Sequence, residues 1–203
     1  CNVMHACFEP RDLVENYPRG EKSLLGPFHH WQTNETREWF ESRGVSLKTE
    51  QDGRMFPVTD DSRTIIDCLT GAGRDAGVQW RTRCGVQAVH LGADKGFRVE
   101  TTLGEELEAA ALLIATGGIR SGAARKPLTD LGHGFESPVP SLFTFHIEDP
   151  RLEGLQGVST AHSSAGAGKL SSEGPILVTH WGLSGPAILK LSARGARILA
   201  EQD

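Results

Sequence analysis

Ala109-Ala110-Ala111-Leu112-Leu113-Ile114-Ala115-Thr116-Gly117-Gly118 is the stretch that sets the fold. An apolar run of this length suits a strand buried on both faces, and it opens directly onto a turn of small residues. The two glycines carry no Cβ, so backbone can come within contact distance of a ligand. In open α/β sheets such turns line dinucleotide sites. A site of that kind also needs a glycine fingerprint at the first strand-to-helix turn, and nothing before Ala109 supplies one. The chain therefore reads as the middle of a cofactor-binding protein. Cys1 in place of Met, and Asp203 just past a helical run, make both ends look cut.

Working outward, 78–81, 85–91, 97–101 and 105–109 read as strands, with a turn at 93–96. Three of them form a half-exposed meander expected to cover a parallel sheet that contains the buried strand 110–115. Upstream, 10–16 and 21–28 are short helices. A stronger one spans 34–42, capped by Thr33 or Asn34, with Trp39 and Phe40 inward and Gly44 as its stop. Residues 45–50 and 54–58 make a hairpin about the Asp52-Gly53 turn. Asp60 or Asp61 then caps a helix with Ile65, Ile66 and Leu69 on one face, ending near Gly77. Downstream, 120–140 is loop-like, 141–147, 157–161 and 176–179 are strands, and 163–172 is a polar, glycine-rich loop. A last helix starts near Pro186 and runs through Ile198. This makes an α/β chain, with a first domain over 1–124 and a β-rich second region over 125–203.

The chain has 21 basic and 26 acidic residues of 203, a formal net charge of −5 and no basic block. Electrostatic capture of nucleic acid or of an anionic membrane is not expected. Glycine is in excess at 24 residues, against roughly 7% in ordinary proteins. Alongside 10 prolines and 38% hydrophobic residues, that excess signals tight turns rather than disorder. No apolar stretch nears the ~20 residues of a membrane helix. Cys1, Cys7, Cys68 and Cys84 are scattered without a CxxC pair, which fits a reduced, cytoplasmic protein.

Several tempting motifs fail on their own chemistry. Gly71-Ala72-Gly73-Arg74-Asp75-Ala76 matches GxGxxA, but it follows a helical face rather than a strand. Gly166-Ala167-Gly168-Lys169 is like a P-loop, yet Leu170 stands where Ser or Thr would bind magnesium. Gly182-Leu183-Ser184-Gly185-Pro186 invites a nucleophile elbow, but Pro186 occupies the place of the second glycine. Cys1, His5, Cys7, His29 and His30 lack the spacing of a closed metal site, so no metal is expected.

Two segments carry chemistry. One is the strand and turn at 112–118. The other is Thr179-His180-Trp181-Gly182-Leu183-Ser184-Gly185-Pro186, which follows an apolar strand and opens a helix. Pro186 suits the first helical position, and the free N–H groups there favour an anionic or electron-rich group. With Cys1-Asn2-Val3, Gly53-Arg54-Met55-Phe56-Pro57 and Pro140-Ser141-Leu142, these segments resemble the BaiN/YhiN-type bacterial FAD-dependent oxidoreductases, aminoacetone-oxidase-like flavoproteins. In that family the corresponding segments are the tail of Arg-Cys-Asn-(Val/Leu)-Thr, Gly-Arg-x-Phe-Pro, Ala-Thr-Gly-Gly, Pro-Ser-Leu and Thr-His-x-Gly-Leu-Ser-Gly-Pro. Here Met4 replaces the usual Thr, and 120–126 is short and basic where relatives carry a Gly-rich segment.

The resemblance implies a partial Rossmann-like FAD/NAD(P)-binding domain with a β-meander, plus part of an inserted β-rich domain. It also implies that the first βαβ unit and the C-terminal return lie outside this sequence. The cofactor it implies is FAD, acting on a small-molecule organic substrate, with NAD(P)H as a candidate electron partner. FAD proximity carries over to Cys1, Asn2, Ala115, Thr116, Gly117 and Gly118. Val86 joins them because the start of the meander is expected to pass near the adenine. Ser184 and Gly185 are expected to face flavin or substrate. His180 is a candidate proton donor, its alternative being a structural hydrogen bond at a strand end. The competing expectation for the chain is a non-catalytic remnant or interaction module unable to bind FAD alone.

Overall fold

A computed structural model describes residues 2–92, 96–119 and 122–201. The chain divides into two compact units, Cys1–Trp80 and Arg81–Asp203.

In the first unit β1 (Met4–His5), β2 (Leu47–Thr49) and β3 (Arg54–Pro57) form an antiparallel sheet in the order β1-β3-β2. The expected hairpin is present, with Gly53 at φ +83 in its turn. Four helices join it: α1 (Pro10–Val14), α2 (Glu21–His30), α3 (Thr33–Glu41) and α4 (Ser62–Asp75). Phe40, Val45 and Ile65 form the core, with Val3, Met4, Trp39, Leu47 and Cys68 packed against them.

The cap of α3 differs from expectation. Gln32, rather than Thr33 or Asn34, accepts from the Asn34 N–H, while the Glu35 carboxylate accepts from the Gln32 N–H at 2.9 Å. This reciprocal box satisfies two helix donors at once and sets the boundary one residue early. Asp61 caps α4 as expected, accepting from the Arg63 N–H at 2.8 Å. Only Ile65 of the three expected inward residues is buried, and Ile66 and Leu69 are exposed. Adjacent helical positions point about 100° apart, so Ile65 and Cys68 share the core face and Ile66 does not.

Gly71 and Gly73 lie inside α4, which removes the phosphate-turn reading of that string. The expected strand at 78–81 is also absent. The Val78 N–H donates to the Gly73 carbonyl at 2.8 Å, and Gly77 takes φ +76. That is a Schellman close to α4, and it spends the strand's first donor on the helix end.

In the second unit β4 (Val86–Leu91), β5 (Phe97–Thr101) and β6 (Glu106–Ala109) make the expected antiparallel meander, with Val89 and Val99 buried. The turn expected at 93–96 lies largely outside the described residues. The segment after β6 departs most from expectation. Residues 110–115 form no strand and pair with none among the described residues, and Leu113 is 88% exposed. Every strand pair described is antiparallel, so the parallel sheet expected to bury this run is not among them. An apolar run becomes an interior strand only when neighbours supply ladder bonds on both sides.

Part of the expected loop at 120–140 is helical: α5 (Gly122–Asp130) packs on β4 and carries an i,i+4 ion pair between Lys126 and Asp130. Beyond it, β7 (Phe145–His146), β8 (Ser159–Ala167), β9 (Leu170–Thr179) and β10 (Gly182–Ser184) build a sheet ordered β7-β10-β9-β8. The glycine-rich stretch expected as a loop is the β8–β9 hairpin itself, turning at Gly168-Lys169 with Gly168 at φ +58. Ser163, Ala165 and Ala167 are half-buried in alternation with exposed neighbours, a period-2 pattern written in small residues.

The last helix, α6 (Pro186–Ala200), begins at Pro186 as expected and packs on β9 and β8, burying Ala187, Ile188, Leu191 and Ala196. Ser192, fully buried, donates to the Leu189 carbonyl and accepts from the Phe143 N–H at 3.0 Å, tying α6 to the chain before β7.

Candidate functional site

The start of β4 is pinned to the end of β5. The Gly85 N–H donates to Thr102 Oγ1 at 3.0 Å, and the Thr102 N–H donates to the Gly85 carbonyl at 2.8 Å. Val86 then faces Thr101 while Ala88 faces Glu100, so Gln87 is an extra residue in the ladder. Such a bulge turns the strand and re-aims its side chains. Below it, the Leu112-Leu113-Ile114 run and Thr116 meet β4 and α5 about a cleft of about 490 Å³. Cys84, Val86 and Val89 line one side, and Ala124 and Pro127 of α5 close it.

Next to Thr116 of this cleft, Gly117 takes φ +75, a left-handed conformation that favours glycine. A Cβ on Gly117 or Gly118 would meet nothing within 4 Å. Among the described residues, the N–H groups of Thr116, Gly117 and Gly118 donate to no backbone acceptor. An apolar slot with free backbone donors at one end can take a flat ring and hydrogen-bond a polar group attached to it.

The expected site residues are distributed unevenly. Val86 and Thr116 share the cleft. Ala115, Gly117 and Gly118 are exposed on the same segment. His180 lines a different cavity, of about 450 Å³, beside His146, Trp181 and Glu148. Ser184 and Gly185 line neither cavity. Asn2 is exposed in the first unit, and Cys1 lies outside the described residues.

His180 and Trp181 form the two-residue turn between β9 and β10. Thr179 Oγ1 braces that turn, donating to the Gly182 carbonyl at 3.2 Å and accepting from the Trp181 N–H at 3.3 Å. The glycines that follow serve packing. A Cβ on Gly182 (φ +138) would stand 2.5 Å from both the Ile147 nitrogen and the Phe145 oxygen. One on Gly185 (φ +101) would stand 2.8 Å from the Pro175 oxygen. Asp149 lines the same cavity and is clamped by Arg151, both carboxylate oxygens accepting from the Arg151 Nε at 3.0 Å. Those bonds, together with the Arg151 N–H, hold the Asp149 carboxyl down at about 2.

Sequence reasoning missed Cys84, Ala124 and Pro127. The last two sit on a helix read as loop, because Pro127 and the flanking glycines hid its period. It also passed over His146, which pairs with Gly182 across β7 and β10. Among the described residues no group of three or more His, Cys, Asp or Glu could hold a metal ion, and no helix is long and apolar enough to cross a membrane.

A meander beside a glycine turn is followed by a β-sheet with a packed helix, which makes an α/β chain whose second part is β-rich. The chain belongs to the HI0933-like protein family, whose Rossmann domain is of the flavoprotein-oxidoreductase type. The HI0933-like protein Rossmann domain matches residues 1–126, and the HI0933-like protein barrel and H2TH domain matches residues 139–203. A relative is the ribosomal RNA dihydrouridine synthase of Escherichia coli (strain K12), 27% identical over 202 residues. The match covers 95% of this chain and 49% of that protein, so the chain spans about half the length of this curated relative.

Proposed function

We propose that the protein carrying this chain is an FAD-dependent oxidoreductase, with the cleft of Val86 and Thr116 holding part of the FAD. The observation that carries this reading is the set of unpaired N–H groups at Thr116, Gly117 and Gly118 beside an apolar slot. The residues present fit the group. Open space lies above both glycines, the slot is lined by aliphatic side chains, and the bulged start of β4 offers irregular backbone at its edge. When bound, FAD supplies two-electron transfer, and the protein supplies binding, orientation and exclusion of water. Val86, Ala115, Thr116, Gly117 and Gly118 are the cofactor contacts in this reading. His180 is the proposed proton donor, though Gly182 and Gly185 of its motif are accounted for by strand packing alone.

A second reading refines the substrate. The relative's printed activity favours reduction of a uracil ring within RNA over reaction of a free small molecule. With a net charge of −5 and no basic block, this chain would contribute recognition of the base rather than capture of the phosphate backbone.

The test is purification of the protein carrying this chain, followed by flavin absorbance near roughly 450 nm and by turnover of uridine-containing RNA under reducing conditions. Bound flavin that is lost on Gly117→Val supports the reading. A colourless protein that takes up no added FAD overturns it in favour of a non-catalytic interaction module.

A further inference from the structure

A third cavity, of about 450 Å³, lies wholly in the first unit, among β1, α1, α2 and α3. Three of its walls are aromatic. Tyr17 and Phe28 sit with ring centroids 5.6 Å apart, and Trp31 lines the same cavity. Met4 and Leu13 add aliphatic lining. Its lining has no Lys, Arg, Asp or Glu, and His5 spends Nε2 on the Asp52 carbonyl at 3.0 Å, so a neutral ligand suits it better than a charged one. Trp31 spends its only side-chain donor on Thr36 Oγ1 at 2.9 Å, which fixes the indole and leaves its faces for stacking.

The two amide side chains at the cavity are half spent, in opposite senses. Asn16 uses its NH₂ on the Asp12 carbonyl at 3.1 Å, and its Oδ1 has no partner among the described residues. Gln32 uses Oε1 to cap α3, accepting from the Asn34 N–H at 3.3 Å, and its NH₂ has no partner among the described residues. One acceptor and one donor among the lining residues, beside aromatic side chains, suit a neutral ring that carries both an N–H and a C=O group. We propose that this aromatic cavity is a binding site for a pyrimidine-type base of the uracil class, stacked on Trp31, donating its ring N–H to Asn16 Oδ1 and accepting from the Gln32 amide at a ring carbonyl.

The choice of base rests on the second reading above, and the experiment separates the two. The protein carrying this chain, purified with its flavin, is titrated with uridine, 3-methyluridine, 5,6-dihydrouridine, riboflavin and a short oligouridine, following the Trp31 indole and Gln32 amide resonances by NMR. The site predicts saturable uridine shifts at both groups. 3-Methyluridine, which lacks the ring donor, binds about tenfold more weakly. Dihydrouridine, no longer flat, also weakens. Trp31→Ala weakens uridine by about tenfold and leaves flavin content unchanged. Tighter binding of oligouridine than of uridine places the base within RNA, and equal binding places it on a free nucleoside; both support the site.

Equal affinity for uridine and 3-methyluridine, or uridine binding with no response at Trp31, overturns the proposal. Preference for riboflavin also overturns it, because the cavity would then belong to the cofactor. A flavin-loaded protein that binds no uridine sinks this inference alone. A protein with neither flavin nor uridine binding sinks the oxidoreductase reading as well.

Discussion

Replacing Gly182 by alanine tests how the His180-Trp181 turn is held. The added Cβ would sit 2.5 Å from two backbone atoms of the chain around β7, where ordinary contact begins at 3.4 Å. The backbone would have to retreat by about 1 Å, and overpacking of this kind costs about 1–3 kcal/mol. The positive φ of +138 adds strain for any residue with a Cβ, about 1–2 kcal/mol. Together the substitution should destabilise by about 2–5 kcal/mol, a large share of the 5–15 kcal/mol typical of a folded domain. Gly168→Ala is the matched control, since Gly168 has φ +58 but nothing within 4 Å of its would-be Cβ. It should cost only the strain, about 1–2 kcal/mol. Urea denaturation of the two variants separates the contributions. A Gly182→Ala midpoint within error of Gly168→Ala would refute the packing account.

Other outcomes follow from single interactions. Asp149 should titrate near pH 2 by NMR, and Arg151→Gln should return it toward 3.8. Because its folded pKa is lowered, the clamp's contribution is present above pH 3.8 and is lost as pH falls through about 2. Asp61→Ala removes the α4 cap and should cost about 1 kcal/mol in urea. Phe40→Ala, at the centre of the first core, should cost about 3–5 kcal/mol. Leu113→Ser should change stability by less than about 0.5 kcal/mol, because Leu113 is already 88% exposed, while weakening FAD binding measured by flavin fluorescence.

Elements whose signals were local were legible in the sequence. The Asp52-Gly53 hairpin, the Asp61 cap, the meander and the Pro186 helix start each carry their own turn or cap chemistry. The 110–115 run was misread because burial is a property of neighbours, and its strand pattern says nothing of which strands flank it. The β8–β9 hairpin escaped because serine, glycine and alanine alternate too weakly in hydrophobicity to show period 2. At the candidate site, Thr116 and Val86 were found through the turn and the strand start. Their aliphatic partners on α5 were not, since Pro127 argued against a helix. The aromatic cavity drew no notice because Tyr17, Phe28 and Trp31 come from separate turns and helix ends with no motif between them.

Hydrogen exchange at Thr116, Gly117 and Gly118, with and without FAD, puts the cofactor assignment to its most direct test. In the protein carrying this chain these amides should exchange at nearly free rates when flavin is stripped and slow at least tenfold when it is restored. Tight FAD binding that leaves the exchange of all three amides unaltered would place the cofactor elsewhere and contradict the account.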